Sequence, residues 1–216
     1  ALLQKMLGEK YEVGNFGYSG ATLLKKGHKP YWKKPPYPKS LEFKPDIVII
    51  NLGANDVVDT NWIHSADFAG DYAELIESYR NLPSEPKIFI CEITPIFPNH
   101  GRFAECTKHR KQLTPLIQKL AIDADVGLID LFSPFNGKNG LYPDGLHPNA
   151  LGAKIMAQHV YTSLTGTAAP AVMLAGQEPF DDQHGTSFEN VKTGVFKTIQ
   201  TQVGTWKTIQ GIAIVE

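Results

Sequence analysis

The chain has 216 residues, 42% hydrophobic and 20% charged, the balance of a globular protein long enough to bury a core, with room for one domain and a remnant. A formal net charge of -1 argues against a nucleic-acid partner, which needs clustered Lys and Arg to displace counterions from phosphate. No apolar run reaches the length of a membrane span, and Cys91 and Cys106 are too few for a disulfide framework; they read as free, part-buried thiols unless the loop between them folds back.

The first predicted element is a helix-like run over Ala1 to Gly8, with neither an initiator Met nor a signal peptide ahead of it. Strands are predicted at Tyr11 to Asn15, Asp46 to Leu52, Lys87 to Ile93 and Val126 to Leu131, two of them almost wholly apolar, as suits a sheet covered on both faces. Between them, Phe68, Tyr72, Leu75, Ile76 and Tyr79 recur at helical spacing, as do Leu113, Leu116, Ile117, Leu120 and Ala121. A last helix starts after Pro148, with Asn149 as its cap and Leu151, Ile155, Met156, Val160 and Leu164 as its apolar stripe.

Alternating strands and helices over 1–164 predict an α/β fold, a three-layer αβα sandwich with a parallel sheet. Residues 165–170 read as a linker, and 171–216 as the start of an incomplete, β-rich accessory domain. Phe196-Lys197-Thr198-Ile199-Gln200 is echoed there by Trp206-Lys207-Thr208-Ile209-Gln210, and the chain stops on the strand-like run Gly211 to Glu216. Both ends read as cuts.

Three segments carry chemistry. In Asp144-Gly145-Leu146-His147-Pro148-Asn149, a carboxylate three residues from an imidazole on a loop can hold one ring nitrogen while the other faces a substrate. Taken alone, the same segment also reads as a capping turn with a surface histidine. Gly53-Ala54-Asn55-Asp56 follows an apolar strand at the sheet edge where ligands of open α/β sheets bind, so the Asn55 amide can face a developing oxyanion; an ordinary turn has the same composition. Asn15-Phe16-Gly17-Tyr18-Ser19-Gly20-Ala21-Thr22 also follows a strand, and the Gly20 N–H can be a second oxyanion donor, or Ser19 a simple cap.

In this order the three segments resemble blocks II, III and V of the GDSL/SGNH hydrolases, and the resemblance spans Ala1 to about Leu164. It implies a flavodoxin-like SGNH domain and a serine ester hydrolase without metal or other cofactor. Gly20 and Asn55 correspond to its oxyanion donors, His147 to its general base and Asp144 to the acid that orients the base. In the family a serine in a Gly-Asp-Ser sequence at the end of the first strand attacks the ester; no Gly-Asp-Ser occurs here. The first strand and its serine are therefore expected upstream of Ala1, and Ser19, inside the oxyanion segment, is a poor substitute. A fragment without them is expected to be inactive.

Similarity to sialate O-acetylesterases and other carbohydrate acetylesterases implies a short acyl group on a sugar as substrate, and favours a secreted or periplasmic protein. The loop from Gly27 to Ser40 reads either as a border for a sugar, through Tyr31, Trp32 and Tyr37, or as an irregular surface crossover; Thr94 to Phe103 is another candidate rim, with His100 read as a solvated loop residue rather than a catalytic one. Two other readings stay open: a lysophospholipase or thioesterase of the same fold, and a non-catalytic glycan-binding module.

Overall fold

A computed structural model describes residues 2–98, 104–172 and 210–215. Five strands form one parallel sheet: β1 (Tyr11–Asn15), β2 (Ile47–Ile50), β3 (Lys87–Cys91), β4 (Gly127–Ile129) and β5 (Gln210–Val215). Their order is β1-β5-β2-β3-β4. The helices are α1 (Leu2–Leu7), α2 (Pro36–Glu42), α3 (Asp59–Trp62), α4 (Phe68–Arg80), α5 (Ala104–Asp123) and α6 (Ala150–Thr165).

The period-two alternation of strand side chains divides the core in two. Val48 and Ile50 of β2 and Ile88 and Ile90 of β3 join Leu75 and Ile76 of α4 and Leu113 and Ile117 of α5 in one cluster. Ile47, Ile49, Phe89 and Cys91 point the other way, onto Leu3 of α1 and Val160 and Leu164 of α6. Every residue of β2 is buried, which is why its run Ile47-Val48-Ile49-Ile50 is apolar without alternation. The outcome is the expected αβα sandwich. Asn149 caps α6, accepting from the Gly152 N–H at 3.0 Å, and Gly166 ends that helix in the left-handed region.

One expectation is corrected. Most of 171–216 lies outside the described residues, including the echoed segments up to Ile209, but Gln210–Val215 does not belong to a separate unit. It is β5, paired in parallel with β1 on one side and β2 on the other. Ile212, Ala213 and Val215 are fully buried. β5 is thus an interior strand: without it, β1 and β2 would each expose a row of unpaired backbone groups inside the sheet. Cys91 and Cys106 are not joined in a disulfide, and both are buried.

Candidate active site

In a parallel sheet every strand ends at the same edge, so the loops that follow β1, β2 and β4 gather there. Gly20 lies in the first, Asn55 in the second, and Asp144 and His147 in the third, just ahead of α6. The carbonyls of Ile214 and Val215 accept from the Phe16 and Asn51 N–H groups at 2.8 and 2.7 Å. The carboxyl end of β5 therefore emerges between the Gly20 loop and the Asn55 loop.

Asp144 and His147 form a tight pair, with Asp144 Oδ2 2.6 Å from His147 Nδ1. The other carboxylate oxygen accepts from the backbone N–H groups of Leu146 and His147 at 2.9 and 2.7 Å. Those bonds, first of all the one from the imidazole, hold the Asp144 carboxyl well below the usual carboxylate range. Gly145 takes a positive φ that lets the loop turn back on Asp144, and its carbonyl accepts from the Phe97 N–H at 2.8 Å. Leu146 packs against the core, anchoring the loop. With Nδ1 committed to the carboxylate, Nε2 is left for a substrate or a nucleophile, and the His147 side chain is 75% exposed.

The second half of the site is a network between the Gly20 and Asn55 loops. The Asn55 side-chain amide donates to the Ala21 carbonyl at 3.0 Å. Asp56, fully buried, accepts from the Leu23 and Leu24 N–H groups at 3.0 and 2.8 Å. Asn61, also fully buried, donates to the Asn55 carbonyl at 2.8 Å and accepts from the His28 N–H at 2.9 Å. Gly53 allows the turn into this loop with φ +124°, where a Cβ would also press to 3.1 Å from Leu113. Asp56 and Asn61 went unassigned in the sequence: each binds a partner about thirty residues away, and no local spacing announces that.

The structure thus assembles the Asp144–His147 pair and, separately, the Gly20–Asn55 pair of loops, on one edge of the sheet. Ala54 and Leu146, neighbours of Asn55 and His147, pack against the same core cluster. Among the described residues no hydrogen bond joins the two halves directly. The aromatic border expected at Tyr31, Trp32 and Tyr37 is corrected. Tyr31 is fully buried with its hydroxyl on the Phe16 carbonyl, and the Trp32 indole N–H is spent on the Leu23 carbonyl. Their rings stack edge-on with Tyr37 at 5.7 and 5.5 Å, holding the loop to the core instead of facing a ligand. Of the rim expected at Thr94 to Phe103, residues 99–103, His100 among them, lie outside those described.

The family model of GDSL-like lipases and acylhydrolases matches residues 1–155, most of the chain. The chain belongs to that family. It is 32% identical over 182 residues to an acetylxylan esterase of Xylanibacter ruminicola, a match covering 76% of this chain and 38% of that protein. The chain thus spans little more than a third of the length of that curated relative. A carbohydrate acetylesterase of Sinorhizobium meliloti shares the fold at 17% identity and a TM-score of 0.59, over 76% of this chain and 83% of that one. A lipase/acylhydrolase of Enterococcus faecalis is 25% identical with a TM-score of 0.51, over 62% and 68%. Among the described residues no helix is long and apolar enough to cross a membrane.

Proposed function

We propose that these residues form the acid-base and oxyanion half of a serine acetylesterase acting on acetylated carbohydrate. The observation that carries this reading is the Asp144–His147 pair, with Nδ1 held at 2.6 Å and Nε2 free at the sheet edge. His147 takes the proton of an attacking serine hydroxyl and returns it to the departing sugar alcohol; water then releases the acetyl group by the same base. Asp144 keeps the tautomer and steadies the imidazolium. The Asn55 amide and the Gly20 N–H stabilise the negative oxygen of both tetrahedral intermediates, each donor contributing about 2.7 to 4 kcal/mol.

The nucleophile in this reading belongs to a Gly-Asp-Ser sequence, which the 216 residues lack, so by themselves they turn over esters little or not at all. The acetylxylan esterase relative supports acetyl as the acyl group. A competing preference for longer acyl chains has one observation behind it, a cavity of about 290 Å³ at the same edge, walled by Leu2, Leu3, Met156, Val160 and Ile214.

The test places a strand ending in Gly-Asp-Ser ahead of Ala1 and measures hydrolysis of nitrophenyl acetate, nitrophenyl octanoate and acetylated xylan. Activity should appear, favour acetate, and fall by about 10²- to 10⁴-fold in His147→Ala. An alanine variant with full activity would remove His147 from the mechanism. An octanoate preference would replace the acetylesterase reading, and a serine-linked acyl group on the 216-residue chain alone would show that the nucleophile is already present.

A further inference from the structure

From Val13 to Leu41 the chain carries six lysines and no aspartate or glutamate, within a protein whose net charge is -1. Two of these lysines are neutralised: Lys25 pairs with Glu74 and Lys26 with Asp67. Lys29 and Lys34 have no carboxylate partner among the described residues. A lone ammonium is ordinarily a solvated surface group. Lys29 is itself exposed and Lys34 half-buried, but both stand against the segment that carries Gly20.

Lys29 lies along the backbone of Gly20, its Nζ 3.4 Å from where a Cβ on that glycine would stand. Its own backbone is pinned, because the Lys29 carbonyl accepts from the Thr22 N–H at 2.9 Å and Pro30 bridges to Thr22. Lys34 Nζ lies over the ring of Tyr18 at 5.3 Å, and Tyr18 is one of few large hydrophobic side chains left exposed. The turn joining them is closed by the Ala21 N–H on the Tyr18 carbonyl at 2.9 Å. Two uncompensated cations and one open aromatic face therefore flank the candidate oxyanion donor, on segments held in place by backbone bonds.

We infer that Lys29, Lys34 and Tyr18 form a specificity rim that receives an anionic group on the sugar whose ester is cleaved, so that the preferred substrate is an acetylated acidic saccharide. The aromatic face takes the apolar side of a sugar ring, and the ammonium groups take its carboxylate or sulfate. Tyr18 thereby fills the place in sugar recognition that the buried Tyr31 and the half-buried Trp32, bonded to the Leu23 carbonyl, do not. The inference rests on the carbohydrate esterase reading for the cleaved bond, but the rim's selectivity shows in binding alone and needs no nucleophile.

The experiment is amide and side-chain NMR titration of the 216-residue chain with three sugars: a xylo-oligosaccharide bearing glucuronic acid, the neutral xylo-oligosaccharide, and a sulfated one of the same length. Inorganic sulfate serves as the control anion. The acidic sugar should shift Tyr18, Gly20 and Lys29, and Lys29→Gln and Lys34→Gln should each weaken its binding about two- to fivefold, the size of an exposed ion pair. Added salt should weaken it as well. Preference between the carboxylate and sulfate sugars identifies the anion. Equal binding of the neutral sugar, sulfate alone binding as tightly as either sugar, or unchanged binding in both glutamine variants would each overturn the inference. Acid-selective binding at these residues alongside a fully active His147→Ala enzyme would keep the rim and discard the esterase mechanism.

Discussion

Replacing Asp56 by asparagine tests the network that holds the two oxyanion loops together. Burial pushes the Asp56 carboxyl up from its ordinary 3.8 to about 6, and the Leu24 and Leu23 N–H bonds offset only part of that push, while Asp71 adds to it. The folded chain holds this proton more tightly than the unfolded chain does. Asp56 titration therefore adds stability that is fully present below about pH 3.8 and is lost as the pH rises through about 6. A shift of about two units corresponds to about 3 kcal/mol, of which about 2 kcal/mol is spent between about pH 4.5 and pH 7.5. Asparagine does not titrate, so the stability of the wild type relative to Asp56→Asn should fall by about 2 kcal/mol across that interval. Urea unfolding followed by circular dichroism at both pH values measures it. The variant also turns an NH₂ group toward one of the two backbone donors, so the Leu23 or Leu24 amide should lose hydrogen-exchange protection. A wild-type-to-variant difference that stays flat, or grows toward neutral pH, would refute the account of Asp56 as a carboxyl that is costly to ionise.

Ile212→Ala removes a fully buried side chain from an interior strand and should cost about 2 to 5 kcal/mol in the same unfolding assay; a cost near zero would mean that β5 is not part of the cooperative sheet. Gly53→Ala combines a φ of +124° with overlap on Leu113, so a loss of about 1 to 3 kcal/mol is expected by thermal or urea unfolding, with Gly70→Ala, where a Cβ meets nothing, as the tolerated control. When a strand ending in Gly-Asp-Ser is supplied ahead of Ala1, it competes with Gln210–Val215 for the slot between β1 and β2. Amide exchange at Ile212 and Ala213 should then rise to that of an unpaired segment, and protection left unchanged would show that the two strands occupy different places.

What could be read from the sequence was local or periodic. Ile47 to Ile50 and Ile88 to Ile90 announce buried parallel strands because no polar residue interrupts them, and Asp144 announces its bond to His147 because the two are three residues apart on one turn. Asn149 announces the start of α6 for the same reason. The aromatic loop could not be read that way. Tyr31 and Trp32 among prolines and lysines have the composition of an exposed rim, yet their polar atoms find the Phe16 and Leu23 carbonyls, with Tyr31 buried and Trp32 half-buried against the core. Gly211 to Val215 reads correctly as a strand, but an apolar run of that length carries no information on its partners, which are 160 residues or more away in the chain.

The same distinction explains how the two halves of the candidate site are each held by local bonds. The bonds from Asn55 to Ala21, from Leu23 and Leu24 to Asp56, and from Asn61 to Asn55 all lie within two neighbouring loops. The bonds that set His147 lie within its own turn, with one more from Phe97. Neither set touches the residues that leave the end of β5. In the proposed mechanism these bonds would hold the Asn55 and Gly20 loops and the His147 turn in place before a substrate arrives. Under the proposed mechanism, the slot between β1 and β2 is where a serine would have to be delivered, because a strand in that slot ends between the Gly20 and Asn55 loops.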